Sequence, residues 1–106
     1  MEINVARDFS MTPGGRYRKD GPSSGEEFRD SLLRPKYELA IRNGDTLIIN
    51  LDGGYGYGSS FLEESFGGLA RQLGDRRILD IVIVSDEEPD LIGRIRDYIT
   101  NGLEGR

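Results

Sequence analysis

Two residue types are missing outright, since the 106-residue chain contains neither cysteine nor histidine. Without cysteine there is no disulfide, no thiol nucleophile and no zinc–thiolate cluster, and without histidine there is no imidazole base and no Ser-His-Asp triad. Long apolar runs are lacking as well. No stretch approaches the roughly 18 to 20 apolar residues that a membrane span requires, and the opening MEINVARDFSMTPGG has no continuous apolar segment of the secretory kind. These absences lead to the expectation of a cytoplasmic protein without membrane association, and the lack of cysteine agrees with a reducing compartment. Positive charge is in the minority: 14 Lys and Arg against 19 Asp and Glu give a formal net charge of -5. With an isoelectric point near 4.7, long-range repulsion works against phosphate backbones, and nucleic acid is not expected as a partner.

What is present suits one domain over residues 1–106, because a chain of this length builds one core and not two. Hydrophobic residues at 36% and charged residues at 31% are globular values, while 15 glycines predict long loops. The segment MTPGGRYRKDGPSSGEE gathers Pro, Gly and Ser around Arg16, Arg18 and Lys19, and marks a loop at about 10–25. Before it, Ile3 and Val5 alternate with polar neighbours as in a short strand. After it, Ser24 and Glu27 have capping-box spacing and predict a helix over about 25–33. Pro35 is expected to break that helix and open a new one. KYELAIRN alternates like a strand, yet its bracketing by Pro35 and Gly44 and its good helix formers favour a helix. TLIINLD (46–52) and ILDIVIVS (78–85) read as strands buried on two faces. Between them Phe61, Leu62, Phe66, Leu69 and Leu73 recur at helical spacing, which predicts a strand–helix–parallel strand crossover. A final amphipathic helix over about 89–101 buries Leu91, Ile92, Ile95 and Ile99. The expected fold is a small α/β sandwich with a mixed, partly parallel sheet.

The segment LDGGYGYGSSFLEESFGGLA carries the candidate chemistry, because a buried strand ends there, a glycine-rich turn follows, and Ser59 and Ser60 stand at a helix entrance. Ser60 with Glu63 repeats the capping-box spacing, so one serine has a structural reading. The same helix N-terminus, with unpaired N–H groups and the positive end of the dipole, also suits a bound phosphate or a phosphate carried on serine. GGYGYGSS lacks the lysine of a nucleotide-hydrolysing loop, and Gly54, Gly56 and Gly58 do not have dinucleotide spacing. Neither nucleotide hydrolysis nor redox chemistry is expected, and no cofactor is expected. Gly67 and Gly68 sit inside a helix at a cost of about 1 kcal/mol each, which implies either close approach of that helix to its own sheet or a flat surface for a partner's backbone.

Arg16, Arg18, Lys19, Ser23 and Ser24 have two readings, as a solvated loop or as a wrap around an anionic ligand beside the helix starting near Gly25. Asp86, Glu87, Glu88 and Asp90 stand at a strand end, where carboxylates can hold magnesium, but the dipole of the helix that Pro89 opens accounts for them more simply, and no metal site is expected.

LIINLDGGYGYGSSFLEESFGGLARQL, with TPGGRYRKDGPSSGEEFR upstream and IVIVSDEEPDLIGRIRDYI downstream, resembles the STAS-like domain family of unknown function. That family is similar in pattern to the STAS domains of sulfate transporters and anti-sigma-factor antagonists. In the antagonists a strand leads to Asp-Ser-Ser or Asp-Ser-Thr and then Gly, and a partner kinase phosphorylates the serine after the aspartate. The matching positions here are Gly58, Ser59 and Ser60, with Phe61 in place of the glycine. The resemblance implies a non-enzymatic regulatory or protein-interaction domain, a protein partner of the histidine-kinase-like ATPase class, and Ser59 as phosphate carrier. Its candidate binding residues are Tyr55, Tyr57, Gly58, Ser59 and Ser60, with Arg16 and Arg18 on the loop, and no residue is assigned as catalytic. The alternative is a sensor or enzyme for a small anionic ligand or nucleotide that joins Arg16 and Arg18 to the Ser59 helix entrance.

Overall fold

Three short strands, too short to form a stable sheet by themselves, are held by the helices between them. The computed structural model describes residues 1–105. Strand β1 (Glu2–Asn4) passes directly into a single helical turn, α1 (Val5–Asp8), whose first free N–H groups are met by Asn4: its Oδ1 accepts from the Arg7 N–H at 2.9 Å. Val5 therefore opens a helix and does not extend the strand. Helix α2 runs without interruption over 25–42, β2 follows (Ile48–Asn50), then α3 over 59–73, β3 (Val82–Val84) and α4 (Asp90–Glu104).

All three strands are parallel, in the order β1-β2-β3, with Ile3 level with Ile49 and Ile49 level with Ile83. The expected mixed sheet is thus corrected to a wholly parallel one. The reason lies in the connections: each pair of neighbouring strands is joined through a helix, and a helix-length connection returns the chain to the same end of the sheet.

The strands are also shorter and less enclosed than their composition predicts. Residues 78–80, expected to belong to the last strand, lie instead in a tight 3₁₀ turn (Arg76–Asp80) started by Asp75, whose carboxylate accepts from the Arg77 N–H. Ile3, Ile49 and Ile83 point to one side and are buried under the helices. On the other side Ile48 and Val84 are half-buried and Val82 is 40% exposed. A continuous apolar run predicts burial on both faces, but here only one face is fully covered.

Pro35 does not break the helix. Its missing N–H is accommodated by a wider turn just before it (Arg29–Leu33), in which the Arg34 N–H reaches back five residues to the Arg29 carbonyl. That extra residue relieves the clash that proline imposes on a regular helix. Ser24 caps the start as its spacing predicts, accepting from the Glu27 N–H at 3.0 Å, although the Glu27 carboxylate turns to the Ser23 N–H and not to the cap's own.

One core unites the elements, from Ile3 and Val5 through Phe28, Phe61 and Phe66 to Ile95 and Ile99. Its aromatic centre places the Phe28 ring 5.2 Å from Phe9, edge to face, and 5.7 Å from Phe61. Gly25 lets α2 cross α3 closely, since a Cβ there would lie 2.5 Å from the Phe61 carbonyl oxygen. Gly67 and Gly68 also serve close packing, but not against the sheet. Gly67 faces α4, with the Tyr98 carbonyl oxygen 3.1 Å from where its Cβ would be, and Gly68 faces the Arg29 guanidinium. Both are buried, which removes them from any surface open to a partner.

Between α2 and the turn after α3, the Tyr37 hydroxyl donates to Asp75 Oδ2 at 3.1 Å, and Arg77 donates to the same carboxylate through Nε and Nη2. The Arg77 guanidinium holds the Asp75 carboxyl down at about 2, below its ordinary 3.8. A depressed carboxyl contributes stability that is fully present above its unfolded value and is lost as pH falls through its folded one. Unfolding measured from pH 5 to pH 2 is therefore expected to show wild-type stability declining below about pH 4, with a shallower decline in Asp75→Asn. Equal slopes for the two proteins would remove Asp75 as a contributor.

Candidate functional site

In open parallel sheets, ligands and partners meet the loops that leave the carboxyl ends of the strands. Here those ends deliver Asn4 with α1, the loop 51–58, and residues 85–89 to one rim. Asp52 ties the rim together. Its carboxylate accepts from the Asp86 and Glu87 N–H groups, each at 3.0 Å, and lies 3.4 Å from the Ser85 hydroxyl. Those backbone donors, Asp86 first, hold its carboxyl below the usual range. Glu87 returns the contact by accepting from the Gly53 N–H at 3.0 Å. Asp52 is thus a structural clamp between two loops.

Beyond Asp52 the chain reverses through Gly53 at φ 101° and Gly56 at φ 122°, conformations that side chains rarely adopt. The reversal has two outcomes for its tyrosines. Tyr57 turns inward: its hydroxyl donates to the Leu51 carbonyl at 2.7 Å, its ring lies 6.1 Å from Phe61, and burial pushes its phenol up to about 12. Tyr55 turns outward and is 82% exposed, while its backbone N–H is anchored on the Met11 carbonyl at 2.9 Å. Met11 is itself 48% exposed, so the loop presents two large side chains to solvent from neighbouring backbone segments.

Helix α3 opens with Gly58 in the capping position and Ser59 and Ser60 as its first two residues. All three are exposed, and no side chain caps the helix. The Ser60–Glu63 capping box expected from spacing is absent, because the Glu63 carboxylate is engaged by Arg71 and Arg16, each at 2.5 Å. Arg71, then Arg16, hold the Glu63 carboxyl below its usual range. Among the described residues, neither serine hydroxyl has a hydrogen-bond partner. Phe61, which stands where the antagonist pattern has glycine, is fully buried against Phe28 and forms the floor beneath the serines.

The Arg-rich loop lies differently from the expectation. Gly14 and Gly25 close it through backbone bonds to Ser23 and Gly15, at 2.8 and 2.9 Å. Arg16 points onto α3, where it binds Glu63 and also Glu64 at 3.3 Å; Glu64 in turn pairs with Arg29. A wider helical turn at Glu63–Gly67, with the Gly68 N–H reaching the Glu63 carbonyl, lets these two consecutive carboxylates serve the same group of arginines. Arg16 is therefore engaged by two carboxylates of α3, with its side chain 31% exposed. Arg18 lies apart from it, exposed, with its N–H on Glu26 and its guanidinium 3.5 Å from the Ser31 hydroxyl. The structure brings together Tyr55, Gly58, Ser59 and Ser60 on one exposed rim and leaves Tyr57, Arg16 and Arg18 out of it. The sequence gives no sign of Met11 on that rim, nor of the clamping role of Asp52 at the start of the turn.

A family model described as a STAS-like domain of unknown function (DUF4325) matches residues 24–91, more than half of the chain. The chain belongs to that family. No curated protein and no solved structure matches it. The matched part of this STAS-like domain contains the whole of the rim from Asp52 to Ser60, whereas Arg16 and Arg18 precede it. Among the described residues of the STAS-like domain, no group of three or more acidic side chains is placed to hold a metal ion, and no helix is long and apolar enough to cross a membrane.

Proposed function

We propose that this STAS-like domain is a non-enzymatic regulatory module that docks a protein partner on the rim formed by Tyr55, Ser59 and Ser60. Docking is switched by phosphorylation of Ser59 by a partner serine kinase of the histidine-kinase-like ATPase class. The observation that carries this reading is the exposed, unbonded Ser59 hydroxyl at the first position of α3, directly beyond the glycine turn that follows β2. A phosphate there adds roughly -1.5 to -2 charges next to the outward Tyr55, and the helix N-terminus stabilises that charge without any side-chain cation. Asp52, at the centre of the rim, is held by two backbone donors and a serine hydroxyl, which suits a structural role for it.

The test is affinity capture from the native host with wild-type, Ser59→Ala and Ser59→Asp protein, together with mass spectrometry of the co-expressed domain. The expected outcome is one partner retained by wild type and Ser59→Ala, reduced about tenfold or more by Ser59→Asp, and phosphate found on Ser59. Equal capture by all three proteins, with Ser59 unmodified under every condition, would overturn the switch.

A further inference from the structure

At the opposite end of the sheet, where α2 and α3 lead into β2 and β3, a cavity of about 500 Å³ opens between the two helices. That volume lies in the range of small-molecule sites. Pro35 and Ile41 of α2, Leu73 of α3 and Tyr37 supply its apolar surface. A second hollow of about 160 Å³ adjoins it and shares Tyr37, Ile41 and Arg77.

The charges on the lining are unequally used. Asp75 is occupied by the Tyr37 hydroxyl and by Arg77, and Glu38 accepts from Arg34 at 3.1 Å. The cations are less engaged. The Arg42 guanidinium has no ion pair or hydrogen bond among the described residues, and Arg77 meets Asp75 through Nε and Nη2 only, which leaves Nη1 available. A guest that fills this cavity therefore meets apolar walls, the unpaired Arg42 guanidinium and Arg77 Nη1, beside Asp75, which is engaged by Tyr37 and Arg77, and Glu38, which accepts from Arg34 through Oε1. The Tyr37–Asp75–Arg77 network also fixes one wall in place before any guest arrives, which lowers the ordering cost of binding.

We propose that this cavity is a binding site for a small amphipathic carboxylate, with its apolar body against Tyr37, Ile41 and Leu73 and its anion at Arg42 and Arg77. The site is independent of the Ser59 rim.

The experiment is an amide-resolved NMR titration of the full chain with 2-naphthoate and with the uncharged 2-naphthalenemethanol, repeated on Arg42→Gln and Arg42→Lys. For wild type, shifts are expected at Tyr37, Ile41, Leu73 and Arg77. The acid should bind about fivefold more tightly than the alcohol, the upper end for a partly exposed ion pair. Arg42→Gln should bring the two probes to parity, and Arg42→Lys should keep part of the preference. Absence of shifts at those amides at millimolar probe, shifts centred elsewhere, or an acid preference that survives Arg42→Gln would each overturn the proposal. Arg42 is exposed at the end of α2, so both variants are expected to fold as the wild type does.

Discussion

Glu64→Ala is expected to destabilise the domain by about 3–5 kcal/mol, the usual cost of removing one partner from a buried ion pair. Arg29 and Glu64 have side chains only 8% and 10% exposed, and the pair connects α2 to α3 across the packed face of the domain. Without Glu64, Arg29 keeps Asp30, which is 41% exposed, and a 3.3 Å contact to the residue-64 carbonyl, but it loses the carboxylate that meets it in the interior. The loss is large against a total stability that for domains of this kind is about 5–15 kcal/mol. Urea unfolding is the measurement, and a cost below about 1 kcal/mol would show that water reaches the pair. The double variant Arg29→Met/Glu64→Leu supplies the complementary test. Apolar groups of similar volume remove both desolvation penalties together, so it is expected to recover most of what the single change loses.

The second expected result is a reversal of sign within one helix. Gly102→Ala and Gly93→Ala make the same chemical change in α4, and helix propensity alone predicts that each stabilises by up to about 1 kcal/mol. The surroundings differ. Around Gly93 nothing lies within 4 Å of the added Cβ, and that variant should gain about 0.5–1 kcal/mol. At Gly102 the Cβ would stand 2.5 Å from the Gly67 carbonyl oxygen and 2.9 Å from the Ala70 Cβ, so α4 must move away from α3. Overpacking of this kind costs about 1–3 kcal/mol, which outweighs the propensity gain. Thermal unfolding should place Gly93→Ala above wild type and Gly102→Ala below it. A stabilised Gly102→Ala would mean that the two helices are not in the close contact described.

The two glycines illustrate what could be read from the chain and what could not. Interior glycines signal that a helix passes close to something, and Gly67 carried that signal. Its counterpart Gly102 lies 35 positions away in the chain, and no local pattern pairs the two. The candidate rim divides in the same manner. The exposed serines and the turn ahead of them were legible, because strand, glycine run and helix onset are neighbours in sequence. The opposite orientations of Tyr55 and Tyr57 were not, since they follow from positive φ at Gly53 and Gly56 and from the Leu51 carbonyl that Tyr57 meets. Arg16 has two readings from the sequence, a solvated loop residue or a ligand-binding one, because arginine in a glycine-rich loop has no local partner. Its partners, Glu63 and Glu64, come from the far side of β2.

By itself, then, the sequence determined the order of the three strands and the places of the long helical segments between and after them, the Ser24 cap, the glycine reversal after β2, and the exclusion of thiol and imidazole chemistry. These follow from side-chain type and short-range periodicity, which act within a turn or two of backbone. Only the tertiary structure decided that the sheet is wholly parallel and fully covered on one face, that Arg16 is engaged by α3, and that a cavity remains between α2 and the end of α3. Each of these depends on how separate elements settle against one another, and that is set by volume and charge matching between residues tens of positions apart.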